Sequence, residues 1–228
     1  MQDRSSVSSD VEPTPLQCAF CQRSDIEAYI LKETTNLRLV VDHAPLVEGH
    51  VLIMPKAHYA CYGDVPASLD EELFALKHEV QRFFQRYYDP AIFWEHGVFH
   101  QTVFHAHLHC FPFGPLPQHQ LDLCEELCAE VVQSQDDIRA WYASKGYYFY
   151  LEPEKAFLFE PQNEAYFRVI QEIFWPHVSA RNQQKSWRPT GQRIREAGPW
   201  LASTFAKWQE FEQQGVDYAD STGTASTR

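Results

Sequence analysis

No apolar run in this 228-residue chain approaches the roughly 18 residues that a membrane-spanning helix needs. Positive charge is scarce as well. Nineteen Lys and Arg stand against 31 Asp and Glu, for a formal net charge of −12. That balance disfavours a nucleic-acid backbone as the main partner, because proteins that bind one usually present a basic face. It leaves room for a small phosphorylated ligand, since a pocket can be locally positive on an acidic protein. The opening MQDRSSVSSDVEPTP lacks the apolar core of a secretion signal, and there is no internal repeat or long low-complexity run. Without such a signal, the six cysteines (Cys18, Cys21, Cys61, Cys110, Cys124 and Cys128) read as reduced thiols of a cytoplasmic protein, some of them available to a metal. What is present is apolar material: 44% hydrophobic residues and 14% aromatics suffice for a sizeable core. The length suits one domain, or one domain with a long extension.

Residues 1–15, rich in Ser, Asp and Pro, read as a flexible tail. YILKE (29–33) and LRLVVD (37–42) are β-type runs around a TTN turn, and HVLIMP (50–55) is a third. The stretch 68–88 is the clearest helix: Leu69, Leu73, Leu76, Val80, Phe83 and Phe84 recur at helical spacing, with Ser68 and Glu71 as a capping box. AIFWE (91–95) and TVFHAHLHCF (102–111) are again β-type. The expectation is an α+β fold, an antiparallel sheet of about five strands around one long helix. Pro112, Pro115 and Pro117 then mark a break. Beyond it, 121–133, 163–175 and 199–214 read as helices, and 147–151 with 156–160 as a hairpin around EPEK. Five of the six tryptophans lie in this second half, which is therefore folded; a separate domain and a cover on the first half are both open, and the expectation adopted is a mixed extension over 115–215 packed on the first, before a frayed tail at 216–228.

The chemistry concentrates in QTVFHAHLHCFPF (101–113). On a strand, His105, His107 and His109 share one face, with neighbours about 6.5–7 Å apart. Phe104, Ala106, Leu108 and Cys110 occupy the other face and can bury. A solvated polar face would be served as well by Lys, Thr or Glu. Three imidazoles in register point instead to an anionic or metallic partner, because imidazole can be neutral, nucleophilic and metal-binding near pH 7.

HAHLHCF resembles the H-x-H-x-H motif of the histidine-triad (HIT) nucleotide hydrolases and transferases. The likeness continues upstream. CAFC (18–21) resembles the family's C-x-F-C, and VVDHAPLVEGHVLIMPKAHY (40–59) its Asp, Pro, Gly-His and Pro-Lys-x-His segment. HQTVFHAHLH resembles G-Q-S-V-x-H-x-H-x-H. The resemblance covers about residues 16–114, and implies a HIT domain there. It implies that His107 attacks the α-phosphorus of a nucleotide, forming a nucleotidyl-histidine that water then hydrolyses. His109 and His50 match positions that contact phosphate oxygens. Asp42 falls at the ribose-contact position, and His43 and Phe20 flank the base. Gln101 is as in the family, and Thr102 replaces its common Ser. Read from the residues alone, His50 can equally be a turn histidine, Asp42 a turn cap and Thr102 a plain strand residue.

The resemblance further implies a structural zinc held by Cys18, Cys21, His58 and His105, a set suited to tetrahedral coordination, with Cys61 as a rival ligand. Two positions depart from the pattern. Glu95 stands where Asn is usual, and His100 replaces a glycine, so the leaving-group contacts these two would make are altered. His96 and His100 add imidazoles near the pocket. Arg168 and Arg188 can reach a distal phosphate, though surface ion pairs suit them better. Cys124 and Cys128 suit a helix core. The expected activity is a hydrolase that releases a nucleoside monophosphate from a dinucleoside polyphosphate or a phosphoramidate, with an adenine-type nucleotide as the expected substrate. The alternatives are a zinc-stabilised nucleotide-binding regulator with little turnover, and a nucleotidyltransferase or phosphorylase; His109, where those branches commonly carry Gln, favours hydrolysis. The family also allows a homodimer through the long helix.

Overall fold

The computed structural model describes residues 17–222, with side chains through 214. The tail expected at 1–15 and residues 223–228 lie outside the described residues. The strands are β1 (Ile30–Glu33), β2 (Leu37–Val41), β3 (Val51–Pro55), β4 (Ile92–Glu95), β5 (Leu108–Phe111), β6 (Glu130–Val132), β7 (Phe149–Glu152) and β8 (Ala156–Phe159). They form one sheet in the order β1-β2-β3-β5-β4-β7-β8-β6, and every pairing in it is antiparallel. The class is α+β as expected, but the sheet has eight strands rather than five. The 147–160 hairpin does not fold apart; it adds to the edge of β4 through the register Trp94↔Leu151.

Strand alternation divides the side chains between two cores. On one face, Leu37, Leu39, Val51, Ile53, Phe93 and Leu108 pack with Leu73, Leu76, Val80, Phe83 and Phe84 of helix α2 (Asp70–Tyr87), itself preceded by the short α1 (Arg23–Ile26). Each such fully buried side chain contributes about 1.5–3 kcal/mol. Trp208 and Phe211 of the C-terminal helix close over Phe83, with ring centroids 5.0 and 5.6 Å away. On the other face, Trp94, Phe111, Phe149, Leu151, Phe157 and Phe159 meet Tyr166, Val169, Ile173, Phe174 and Val178.

Several local expectations need correction. Ser68 does not cap α2. A 3-10 turn (Ala67–Leu69) leads into it and no side chain caps its first turn, which carries Asp70, Glu71 and Glu72 against the helix dipole instead. The helix expected at 121–133 stops early: α3 is Gln118–Leu127, and β6 follows because the backbone of 130–132 pairs with β8. The next helix, α4 (Gln135–Lys145), was not foreseen. It carries the capping box, Ser134 with Asp137. Then α5 (Asn163–Val169) passes through a π-helical segment (Ile170–Phe174) into α6 (Trp175–Asn182), followed by α7 (Thr190–Glu196) and α8 (Gly198–Thr222). Pro176 has no N–H to donate back into the preceding turn, a reason for the wider turn there. Helical backbone in α8 continues past residue 216, into the stretch expected to be frayed.

Gly49 opens β3 at φ +84°, and a Cβ there would meet the Tyr88 ring at 3.0 Å, so both conformation and space call for glycine. Glu95 needs the most explanation. It lies on the α2 side of β4, 2% exposed, accepting from the Tyr62 N–H (2.7 Å) and the Tyr148 hydroxyl (2.6 Å). Burial lifts its pKa to about 7, although both hydrogen bonds pull the other way. The fold therefore favours the neutral acid. That stability is fully present below the unfolded value of 4.5 and is lost as pH rises through about 7. Glu95→Gln keeps an acceptor and has no charge to bury. Relative to wild type, its unfolding free energy in urea should improve by about 2–3 kcal/mol between pH 5 and pH 8; a difference that does not change with pH would refute the assignment.

Candidate functional site

The segment 102–107 was expected to be strand, but β5 begins only at Leu108. Ahead of it the backbone bonds elsewhere: Ala106 N–H donates to Tyr59 O at 2.7 Å. The Gln101 amide donates to the carbonyls of Ala60, Val103 and His105, and its oxygen accepts from Val98 N–H. This clip holds a turn in which Val98 and His100 have left-handed φ of 76° and 57°. Gly97 has no room for a Cβ, which would fall 2.4 Å from the Tyr148 ring. With the strand broken, the three histidines no longer share one face, and His105 turns toward a separate cluster.

That cluster brings together Cys18, Cys21, His58 and His105, whose ligand atoms all lie within 4.8 Å of one another. Cys18 Sγ is 3.5 Å and Cys21 Sγ 3.4 Å from His105 Nδ1, and Cys21 Sγ is 3.3 Å from His58 Nδ1. Tetrahedral bond lengths for zinc imply sulfur–nitrogen edges of about 3.5 Å. His105 Nε2–H donates to Pro55 O at 2.8 Å, which leaves the Nδ1 lone pair facing the sulfurs. Burial raises the Cys21 thiol to about 11, with Cys18 adding to it, so a bound cation would be needed to hold two thiolates here. The donor set and spacing fit a tetrahedral divalent ion. Cys61 is not part of the set. It is fully buried in the α2-side core, and burial raises its thiol further.

The other imidazoles form a directed chain. Leu46 N–H donates to His50 Nδ1 at 3.3 Å, so His50 carries its proton on Nε2 and donates to His109 Nδ1 at 3.0 Å. His109 must then carry its proton on Nε2, and that nitrogen is buried with no partner among the described residues. His107 Nδ1–H donates to His105 O at 2.6 Å, which leaves the Nε2 lone pair for chemistry. The His107 and His109 rings are 4.8 Å apart, and His107 keeps 6% of its surface exposed beside the half-buried His109. Burial, the largest cause in each case, lowers the pKa of His50 to about 4 and of His96 to about 3, and pulls His109 well down. These rings are neutral at pH 7. Asp42, His50 and His109 also lie close enough to suggest a metal, but His50 turns Nδ1 toward Asp42 and Nε2 toward His109, which makes a relay and not a cage.

The remaining candidates separate. Asp42 lies at the mouth of the relay, with one oxygen on Ala44 N–H (2.7 Å) and the other 3.5 Å from His50 Nδ1. His43 and Thr102 are exposed. Phe20 stands edge-on to His107 at 5.3 Å. Glu95, expected to contact substrate, lies away from the histidines: β4 alternation puts Trp94 on the histidine side and Glu95 on the opposite one. Gln101, also expected there, has its amide consumed by the clip. His100 points to helix α5, bonded to Asn163 at 2.8 Å. His96 does reach the site, with its ring 5.5 Å from His109, backed by the Tyr166 hydroxyl at 3.4 Å. Arg168 pairs with Glu126 and Glu172, and Arg188 with Glu196. The arginine whose charge reaches His50 and His109 is Arg193 of α7. Sequence reasoning missed it and Tyr166, because nothing local in TGQRIRE or NEAYF distinguishes them from ordinary helix surface.

A family model for the HIT domain matches residues 23–114. Adenosine 5'-monophosphoramidase HNT1 from Saccharomyces cerevisiae is 29% identical over 97 residues, which is 42% of this chain and 61% of that protein. The chain thus spans about three fifths of the length of this curated relative. Among solved structures, a hypothetical protein from Leishmania major is 25% identical with a TM-score of 0.39, over 43% of this chain and 74% of that one. A Zn-bound histidine triad family protein from Mycobacterium smegmatis is 24% identical with a TM-score of 0.39, over 57% and 96%.

The clip makes its own prediction. Gln101→Ala strands the buried Val98 N–H and takes the donor from Ala60 O, while Val103 O keeps the His105 N–H and His105 O keeps His107 Nδ1–H; it should cost about 2–4 kcal/mol of unfolding free energy by chemical denaturation. Unchanged stability with weakened ligand binding would return Gln101 to the substrate contacts.

Proposed function

We propose that this protein is a nucleotidyl hydrolase that opens a phosphoramidate or phosphoric anhydride at the α-phosphorus of an adenine-type nucleotide. The observation that carries the reading is the state of two adjacent imidazoles. His107 has its Nδ1 proton fixed on a carbonyl and its Nε2 lone pair unused, while His109 presents an Nε2–H with no partner among the described residues. A lone pair beside an aimed donor suits attack on a phosphoryl group whose oxygens gain charge. In the first step the Nε2–P bond forms and the bond from phosphorus to the leaving group breaks. The leaving group departs with that electron pair and takes a proton from water. In the second step water attacks phosphorus, the Nε2–P bond breaks and the monophosphate is released. His109 and His50 steady the phosphoryl oxygens through their relay. Asp42 accepts from the ribose hydroxyls, and Phe20 and His43 border the base. The adenosine phosphoramidase activity named for the yeast relative supports the choice of substrate.

A zinc ion on Cys18, Cys21, His58 and His105 belongs to the same reading. Its chemistry there is structural: it ties the N-terminal segment to the residue whose carbonyl orients His107.

Two measurements test this. With adenosine 5'-phosphoramidate, acid-quenched wild type should yield a nucleotidyl adduct on His107 by peptide mass spectrometry. His107→Ala should lose roughly a thousand-fold or more in turnover while still binding AMP. Tight AMP binding by wild type with neither adduct nor turnover would favour the regulatory alternative. Elemental analysis should find one zinc per chain, absent from Cys18→Ser, and chelation should lower the Tm of wild type and leave that variant unmoved. A chelator-insensitive Tm would remove the zinc assignment.

A further inference from the structure

The proposed substrate is an anion, yet the imidazoles around its site are uncharged. Burial holds His50, His96 and His109 neutral at pH 7, so their hydrogen bonds bring no net positive charge. The nearest carboxylate, Asp42, adds a negative one. A site of this kind needs a permanent cation, and the cation present comes from beyond residue 114.

Arg193 sits on α7, in a segment strapped to the 42–47 loop. Asn182 Nδ2 donates to Leu46 O at 2.7 Å, and an Arg193 guanidinium N–H donates to Ala44 O. A second Arg193 N–H reaches the Thr190 hydroxyl at 3.1 Å. The Nε–H is shut off from water and has no acceptor among the described residues. Arg193 and Asp42 feel each other's charge but form no ion pair among the described residues; one Asp42 oxygen accepts from Ala44 N–H, and the other lies 3.5 Å from the unprotonated Nδ1 of His50, which has no proton to give it. Burying an unpaired guanidinium is unfavourable unless something else supplies the counter-charge. With no carboxylate ion-paired to it among the described residues, the guanidinium has its counter-charge to gain from an anionic ligand.

From this, the geometry points to Arg193 as a substrate-binding residue, the guanidinium that takes an anionic phosphoryl oxygen of the nucleotide. The inference rests on the nucleotide reading above and deepens it: the C-terminal extension completes the anion site of the HIT domain. Guanidinium suits the task, being always charged and presenting several N–H donors in one plane. His50 and His109 then supply direction, and Arg193 supplies charge.

The test compares AMP with adenosine, which differ by the phosphate. Calorimetric titration of the full, metal-loaded chain should give AMP binding weakened about ten- to hundred-fold in Arg193→Ala, with adenosine binding changed by no more than about two-fold. Arg193→Lys should recover part of the AMP affinity, which a brace for the 42–47 loop would not do. Equal loss for AMP and adenosine in the alanine variant, or no loss for AMP, overturns the inference. Should the alanine variant fail to fold, the lysine variant decides: it must lose AMP affinity selectively. If wild type binds neither ligand, the nucleotide reading fails and takes this inference with it. Wild-type AMP binding that is indifferent to Arg193 removes the inference alone.

Discussion

The site depends on keeping imidazole neutral while fixing which nitrogen holds the proton. Burial achieves the first: moving a charged ring out of water is costly, so each buried histidine favours the uncharged form. Backbone groups achieve the second. Carbonyls of Pro55 and His105 accept protons from His105 Nε2 and His107 Nδ1, and the Leu46 N–H denies one to His50 Nδ1. From those three contacts every tautomer follows, including the orphaned donor on His109. Had any of these rings been free to flip, His107 could lose its lone pair or His109 its donor.

Those backbone groups are where they are because the chain leaves the sheet just before β5. A regular strand through 102–107 would have turned the His105 carbonyl into the ladder and put His105 beside His107. Gln101 prevents this by taking the carbonyls of Ala60, Val103 and His105 on one side chain. One consequence is that His105 is released to the cysteine cluster while His107 stays on the relay. Strain in the 97–100 turn accompanies this arrangement, with Val98 and His100 at positive φ, and Tyr148 packs over it from the strand side.

How much of this could be read beforehand follows the range of the interactions. Period-2 and period-3.6 patterns gave β1 to β5 and the long helix, because the residues that bury are close in sequence. The family resemblance implied the metal cluster, and the geometry brings those four residues together. The hydrogen-bonding roles of Gln101 and Glu95 within the fold were not legible, because motif position says nothing about which face a side chain meets. Glu95 is separated from the site by a single residue of alternation, and Trp94 takes the inward position. Arg193 lies 149 positions from its partner Ala44, and no local signal records such a contact. Strand β6 was hidden inside an amphipathic run and appears only because β8 offers an edge.

The extension, though later in the chain, is not an appendage in energetic terms. Trp208 and Phe211 seal the Phe83 side of α2. The hairpin β7–β8 satisfies the open edge of β4, which otherwise presents unpaired N–H and C=O groups. Tyr148 and Tyr166, flanking the hairpin within the extension, touch Glu95 and His96, two consecutive residues that project to opposite faces. The same added segment thus donates a hydrogen bond to a core carboxyl group on one face and backs an imidazole of the site on the other. Packing and chemistry are coupled through β4, and a change in the extension far from the histidines should be felt at both.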